Sequence, residues 1–451
     1  MRKILSAALI AAFSTSAGAV DLMGVYELAS SNDPEIRAAE RRLDASEIET
    51  KLARANFLPE INATLQRTPI GSSQPKIAGF ELDKNDIDSE NYSLNLTQSL
   101  YDHANFARME RARLVVAQAD SQFNLAWQDF LQRTAQRYFD LLNAIDSLRF
   151  AEAEEKALNR QYEQADQRFE VGLSAVTDLL EAQAAWDGAR ARVIVAENAL
   201  ENAREGVREL TGTMFDSFKP LSEELPLDRP EPARAEEWVQ TALQTNPDLS
   251  VARDAVSIAD TDVRISRSGH YPTLDLTANY NRSLNNEFAL RDDFQNQVGT
   301  TTLQNDQWSA TVRLNVPIFS GLAVKSQTQR ARINRSVANE ELDLNQRRVV
   351  RQTENAFRAV IAGIRQVEAF QQALVSADSA LEATNAGFEV GTRTIVDVLL
   401  AEQRFFQAQR DYSQARHQLI LDRLGLRRAA GTISPEDLAR ANELLEGPER
   451  G

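Results

Sequence analysis

Apolar residues follow two rhythms along this chain. From residue 123 onward, Phe123, Trp127, Phe130, Tyr138, Leu141, Ile145 and Leu148 keep a three-four spacing. In the second half Phe357, Val360, Ile364, Val367, Leu374, Leu381 and Phe388 do the same. Such spacing puts one apolar stripe along an α-helix and is the seam of a coiled coil. The thirteen prolines avoid these regions, with none between Pro75 and Pro220 and none between Pro317 and Pro435. Interior proline breaks a helix and glycine weakens one, so both spans can hold very long helices. The pattern predicts long helices over 102–170 and 320–389, and shorter ones over 35–57, 174–212, 248–270 and 392–429. The first would be about 100 Å long at 1.5 Å per residue, well beyond a globular domain.

The second rhythm has period two. Leu94, Leu96 and Leu100 alternate with Asn95 and Thr97, and Val312, Leu314 and Val316 alternate with Arg313 and Asn315. This predicts four strands, over 59–68, 90–101, 272–282 and 307–319. Apolar-out, polar-in alternation is the pattern of a membrane barrel. Tyr92, Tyr101, Tyr271, Trp308 and Phe319 lie near the strand ends, where interface aromatics belong. The stretches 67–90 and 282–306, rich in Asn, Asp, Gln and Ser, read as surface loops. Four strands cannot close a barrel, since about eight is the practical minimum, and lipid tolerates no open sheet edge. Membrane strands would therefore need several chains to share one barrel.

The chain also repeats itself. Phe169-Glu170-Val171-Gly172 recurs as Phe388-Glu389-Val390-Gly391, each with an aspartate six residues after the glycine, Asp178 and Asp397. Pro34 matches Pro247, Arg54 matches Arg267, Pro59 matches Pro272 and Gly212 matches Gly431. Two tandem copies follow, over 20–231 and 232–451. Gly172 and Gly391 sit where a left-handed residue ends a helix. Ser174 and Thr392 are candidate caps for the helix that follows, so each phrase marks the tip of a helical hairpin.

Composition narrows the class. Residues 1–19 have a basic start, an apolar run and a small-residue site ending at Ala19, the pattern of a secretory signal peptide. Losing Arg2 and Lys3 would take the net charge from −16 to −18, which disfavours nucleic acid as a partner because phosphates are repelled. With no cysteine, disulfides, thiolate metal sites and a cysteine nucleophile are excluded. No other stretch is apolar enough for a transmembrane helix. The three histidines, His103, His270 and His417, are isolated in sequence, and no metalloprotease, nucleophile-elbow or phosphate-loop motif occurs. An enzyme is not expected, nor is a cofactor.

The strings YFDLLNAIDSL, QRFEVGLSAVTDLLEAQAAWD, GHYPTLDLTA and GFEVGTRTIVDVL, in this order, resemble the TolC-type outer-membrane efflux proteins over nearly the whole chain after the leader. The resemblance implies an α+β membrane protein. In it a homotrimer builds a twelve-stranded β-barrel continuous with a twelve-helix α-barrel, the latter reaching into the periplasm. A mixed belt would come from 20–34, 213–247 and 430–451. It implies an outer-membrane exit duct for efflux or type I secretion, set in outer-membrane lipid and docked to a periplasmic adaptor and an inner-membrane pump or ABC exporter.

The resemblance also implies residue roles. Val171, Gly172, Leu173, Val390, Gly391 and Thr392 would meet the adaptor. A periplasmic gate would use Asp178 paired with Arg393, together with Gln161, Thr177 and Phe388. Phe388 stands where the family often has Tyr, and Asn385 replaces a family acidic residue, which weakens a second link. Asp397 matches the first aspartate of the family's acidic pore ring, whereas Leu400 occupies the second position. From the residues alone, an aspartate near a helix start reads first as a helix-dipole partner. The competing class is a soluble periplasmic coiled-coil scaffold or adaptor, which has no use for strands with one lipid-compatible face.

Overall fold

The computed structural model describes residues 19–73, 76–77, 80–81, 85–291 and 297–445. Of the expected leader, 1–18 lie outside the described residues. In chain order the elements are α1 (Leu22–Asn32), α2 (Pro34–Ala55), β1 (Glu60–Ser73), β2 (Lys76–Ile77), β3 (Phe80–Glu81), β4 (Asn85–Tyr101), α3 (His103–Glu170), α4 (Val176–Thr211), α5 (Ala235–Thr245), α6 (Pro247–Ser268), β5 (Thr273–Arg291), β6 (Gln297–Asn315), α7 (Ala323–Glu389), α8 (Ile395–Ala429) and α9 (Pro435–Asn442). The expected helices are present with ends shifted by at most three residues, and the four expected strands are present but longer, β5 running on to Arg291 and β6 starting at Gln297. At 68 residues, α3 is about 100 Å long.

The chain forms two compact units, each assembled from both copies of the repeat. One takes the described residues up to Arg41 with Ser121–Ser250 and Leu344 onward; the other takes Arg42–Asp120 and Val251–Asp343.

The second unit holds an antiparallel sheet in the order β1-β4-β5-β6. Directly paired residues share a face, so the register sorts the side chains. Ala63, Leu94, Tyr280 and Trp308 form one row, Ile61, Leu96, Ala278 and Ala310 the next, and Leu276 with Val312 and Leu274 with Leu314 continue it. One face is thus apolar, and it lies open: Leu65, Leu94, Trp308, Val312 and Leu314 are all exposed. The other face carries Asn62, Asn95, Thr277, Asn279, Ser309 and Thr311. Where the apolar band ends, Arg282 pairs with Asp306 at 2.7 Å and Arg67 with Asp88 at 3.5 Å. These polar pairs explain why the stretches read as loops are largely strand. The ladder continues past these pairs, to Ser73 in β1, from Asn85 in β4, to Arg291 in β5 and from Gln297 in β6. β6 stops at Asn315 rather than 319, just before Pro317, which cannot donate to a ladder.

The first unit has a helical core. Phe130, Tyr138 and Leu141 of α3 are fully buried, with Phe123, Trp127, Ile145 and Leu148 packed against the same cluster. Val207 and Leu210 of α4, Ile420 and Leu424 of α8, Leu22 and Val25 of α1 and Leu438 of α9 complete it. On α7, Val360, Ile364 and Val367 are buried against Trp238, Leu419 and Leu426, while Leu374 and Leu381 stay half-buried. Among the described residues no helix is long and apolar enough to cross a membrane.

Candidate functional site

The two hairpin turns are built alike. Gly172 has φ +75° and Gly391 φ +78°. Leu173 N–H donates to Arg168 O at 2.7 Å and Gly172 N–H to Phe169 O at 2.9 Å. In the second turn Thr392 N–H donates to Gly387 O at 2.8 Å and Gly391 N–H to Phe388 O at 3.1 Å. Both are Schellman closures around a left-handed glycine. The turns lift large apolar side chains into solvent: Val171 is 68% exposed, Leu173 74% and Val390 74%.

The helices after the turns start later than the caps read from sequence. The N-cap of α4 is Ala175, without a side-chain cap bond, and the Ser174 hydroxyl is buried without a hydrogen-bond partner. The N-cap of α8 is Thr394. Thr392 instead donates its hydroxyl back to Gly387 O at 3.0 Å. Thr394 and Asp397 form a reciprocal capping box: Asp397 N–H donates to Thr394 Oγ1 at 3.3 Å, and Thr394 N–H to Asp397 Oδ2 at 2.9 Å. Those bonds hold the Asp397 carboxyl below its usual range, with the Arg393 charge adding to the effect.

Behind the turns lies a cleft of about 130 Å³, lined among others by Asp178, Arg393, Arg168 and Phe388. The expected latch partners Asp178 and Arg393 therefore share a cleft, but no ion pair is among the described contacts between them. Arg168 lies over the Phe388 ring at 4.7 Å, a cation–π contact available to Phe as to Tyr. The stem of Arg393 runs across Gly387, where a Cβ would sit 2.7 Å from Arg393 Cγ. Thr177 is exposed. Gln161 donates Nε2–H to Glu402 Oε1 at 2.9 Å, a partner on α8 that the sequence did not suggest.

Sequence reasoning also missed a row of polar ties from α3 to α4 and α8. Glu154 is fully buried and accepts from Arg192 of α4 at 2.8 Å and from Arg410 of α8 at 2.9 Å. Ser413 donates to Asp146 at 2.5 Å, and Arg428 reaches Asp129 at 2.7 Å. Tyr162 stacks on Trp186 at 5.3 Å, and the Trp186 indole N–H donates to Glu155 at 2.6 Å. Acidic residues on such helices read as solvated, yet a signal was present. Glu154 keeps seam spacing with buried Ala151 and Leu158, as Glu402 does with Ile395, Leu399 and Phe406. His417 is buried near Asp146 at 3.9 Å, and burial lowers its imidazole to about 4, so it is neutral near pH 7. Among the described residues no group of three His, Asp or Glu could hold a metal ion.

The arrangement offers an apolar sheet face, long polar-tied hairpins and two apolar turn tips. The family model described as Outer membrane efflux protein matches residues 25–213 and again 238–432. Outer membrane protein TolC of Vibrio cholerae serotype O1 is 35% identical over 454 residues, covering 99% of each chain. Proteases secretion protein PrtF of Dickeya chrysanthemi is 28% identical over 432 residues, covering 94% of this chain and 90% of its own. Among solved structures, the CmeC outer membrane channel of Campylobacter jejuni superposes with a TM-score of 0.73 at 16% identity, covering 94% of this chain and 90% of that one. At that identity the likeness is one of fold.

Proposed function

The chain belongs to the outer membrane efflux protein family, and from that membership we propose how its own residues seat, dock and gate an exit duct. The protein is an outer-membrane channel of efflux and type I secretion systems, with its helical tunnel in the periplasm. The carrying observation for its assembly is the sheet. Its apolar face is open, and β1 and β6 are edge strands with one partner each. Lipid requires every backbone group to be paired, so the edges must close against further copies. Three chains give twelve strands, within the range of known barrels.

The exposed Val171, Leu173 and Val390 at the Gly172 and Gly391 turns, with Thr392 beside them, are the docking surface for a periplasmic adaptor hairpin. The adaptor couples the duct to an inner-membrane pump or ABC exporter, which supplies the energy; the duct itself performs no chemistry. Asp178, Arg393, Phe388, Gln161 and Thr177 form the gate. Asp178 and Arg393 face one cleft and attract across it without being locked, so a partner that rearranges the turns can part them. An exposed pair contributes only about 0–1 kcal/mol, which suits a latch worked by docking. The Asp397 carboxylates of three chains form an acidic ring that attracts cations.

The test is single-channel current from detergent-purified mature protein in a planar bilayer. Small, stable, cation-selective openings are expected, and Asp178→Ala with Arg393→Ser should raise conductance several-fold. A water-soluble particle that never inserts would remove the duct reading. Insertion with unchanged conductance in the double variant would remove only the latch.

A further inference from the structure

Gln161 meets Glu402 in an unusual way. Gln161 donates Nε2–H to Glu402 Oε1 at 2.9 Å. The second oxygen of each side chain, Gln161 Oε1 and Glu402 Oε2, is buried and has no hydrogen-bond partner. Both are acceptors. Glu402 as a whole is 6% exposed, so water does not readily solvate it. An ionised carboxylate held by one neutral amide bond and left otherwise bare is costly in such a place.

A single proton removes the mismatch. On Glu402 Oε2 it becomes a donor, and the amide already bonded to this carboxyl carries an acceptor that lacks one, Gln161 Oε1. Carboxylic acid and amide would then meet head to head through two hydrogen bonds, each group donating once and accepting once. We propose that Glu402 is a further gate-positioning residue: in its protonated form it clamps Gln161 of α3 to α8 and holds the hairpins in the closed arrangement. The proposal rests on the gate reading above.

The surroundings set the sign. Burial pushes the Glu402 carboxyl above its ordinary value of 4.5, with the Gln161 bond and the Arg160 charge opposing and Glu154 reinforcing. Arg160 and Glu154 belong to α3. Glu154 itself is held by Arg192 of α4 and Arg410 of α8, so its charge is largely neutralised. An acid whose value is raised in the clamped arrangement stabilises that arrangement while protonated, and the stabilisation is lost as pH rises through the raised value. The closed arrangement therefore weakens with rising pH. His417 titrates near 4, so measurements above about pH 5 leave it neutral.

The experiment compares single-channel conductance of wild type, Glu402→Gln, Glu402→Ala and Gln161→Leu between about pH 5 and about pH 8. Wild-type conductance should rise several-fold with pH. Glu402→Gln supplies the same donor without a titration, so it should hold the low acid-side conductance throughout. Glu402→Ala and Gln161→Leu each remove the clamp, and should sit at the high value at every pH. A wild-type pH profile in Glu402→Gln would overturn the proposal. So would a pH-independent wild type whose conductance still rises with Asp178→Ala and Arg393→Ser, an outcome that leaves the latch standing. If Glu402→Ala fails to assemble, Gln161→Leu decides alone: a wild-type profile in that variant also overturns it.

Discussion

Asp397 shows how much one side chain can carry. Its Oδ2 atom takes the cap bonds from Thr394 N and Thr394 Oγ1, both at 2.9 Å, and the charge that makes it a good cap is the charge a pore ring needs. The two roles separate by mutation. Asp397→Ala should cost about 1 kcal/mol of helix-start stability and also lower sensitivity to block by trivalent cations. Thr394→Ala removes the cap's other half and keeps the carboxylate. It should cost a similar amount, read as a lower melting temperature, yet leave the block unchanged. Equal loss of block in both would place the effect in the cap and not the charge. The capping box was readable, since Thr394 followed by Asp397 three residues on is a known helix-start pattern. Ser174 and Thr392, the caps expected from sequence, lie too early, because the two helices begin only at residues 176 and 395. Gly431 shows what sequence could not tell. It matches Gly212 in the repeat and both have positive φ. Only at Gly431 would a Cβ meet backbone, at 2.5 Å from Asn246 Cα, and that neighbour comes from a distant segment.

At the scale of elements, the long helices are held by different forces along their length. Around Tyr138 the seam is apolar, and burial favours assembly at roughly 25 cal/mol per Å². Past Ala151 a charged residue takes a fully buried seam position, Glu154 between two arginines. Removing one partner of a buried ionic group typically costs about 3–5 kcal/mol because charge is left uncompensated. Here Arg192 is 42% exposed and Arg410 27%, so both can turn to water and the low end applies. Glu154→Ala should lower the temperature at which the detergent-purified oligomer dissociates. Glu154→Gln, which retains acceptor and volume, should recover part of the loss. No shift in either variant would mean the triad contributes nothing to holding α3, α4 and α8 together. Helix positions were legible because proline absence and three-four spacing act locally. The ties between helices were not, because seam spacing marks Glu154 as facing a neighbour but does not name Arg192 and Arg410, which arrive from helices far along the chain.

At the scale of the whole molecule, the duplicated sequence announces two copies but not how they join. In the sheet the join is the β4–β5 ladder, Leu94 opposite Tyr280 and Leu96 opposite Ala278, which aligns the alternation of both copies into one apolar face. That alignment is what a lipid boundary demands, since a one-residue slip would turn every apolar side chain of one copy to the opposite face. A paired substitution can test the two faces directly. Val312 lies on the apolar face opposite Leu276, and its neighbour Thr311 on the polar face opposite Thr277. An arginine facing mid-membrane lipid costs about 2–4 kcal/mol, whereas the lumen side tolerates charge. Val312→Arg should sharply reduce the assembled oligomer recovered from outer membranes, and Thr311→Arg should leave it near the wild-type level. Equal tolerance at both positions would mean that the face does not meet lipid. The same face on a soluble scaffold would have to be covered by another protein. In that case detergent would be unnecessary for the purified particle, so its solubility after a high-salt wash of membranes separates the two outcomes before any channel is recorded.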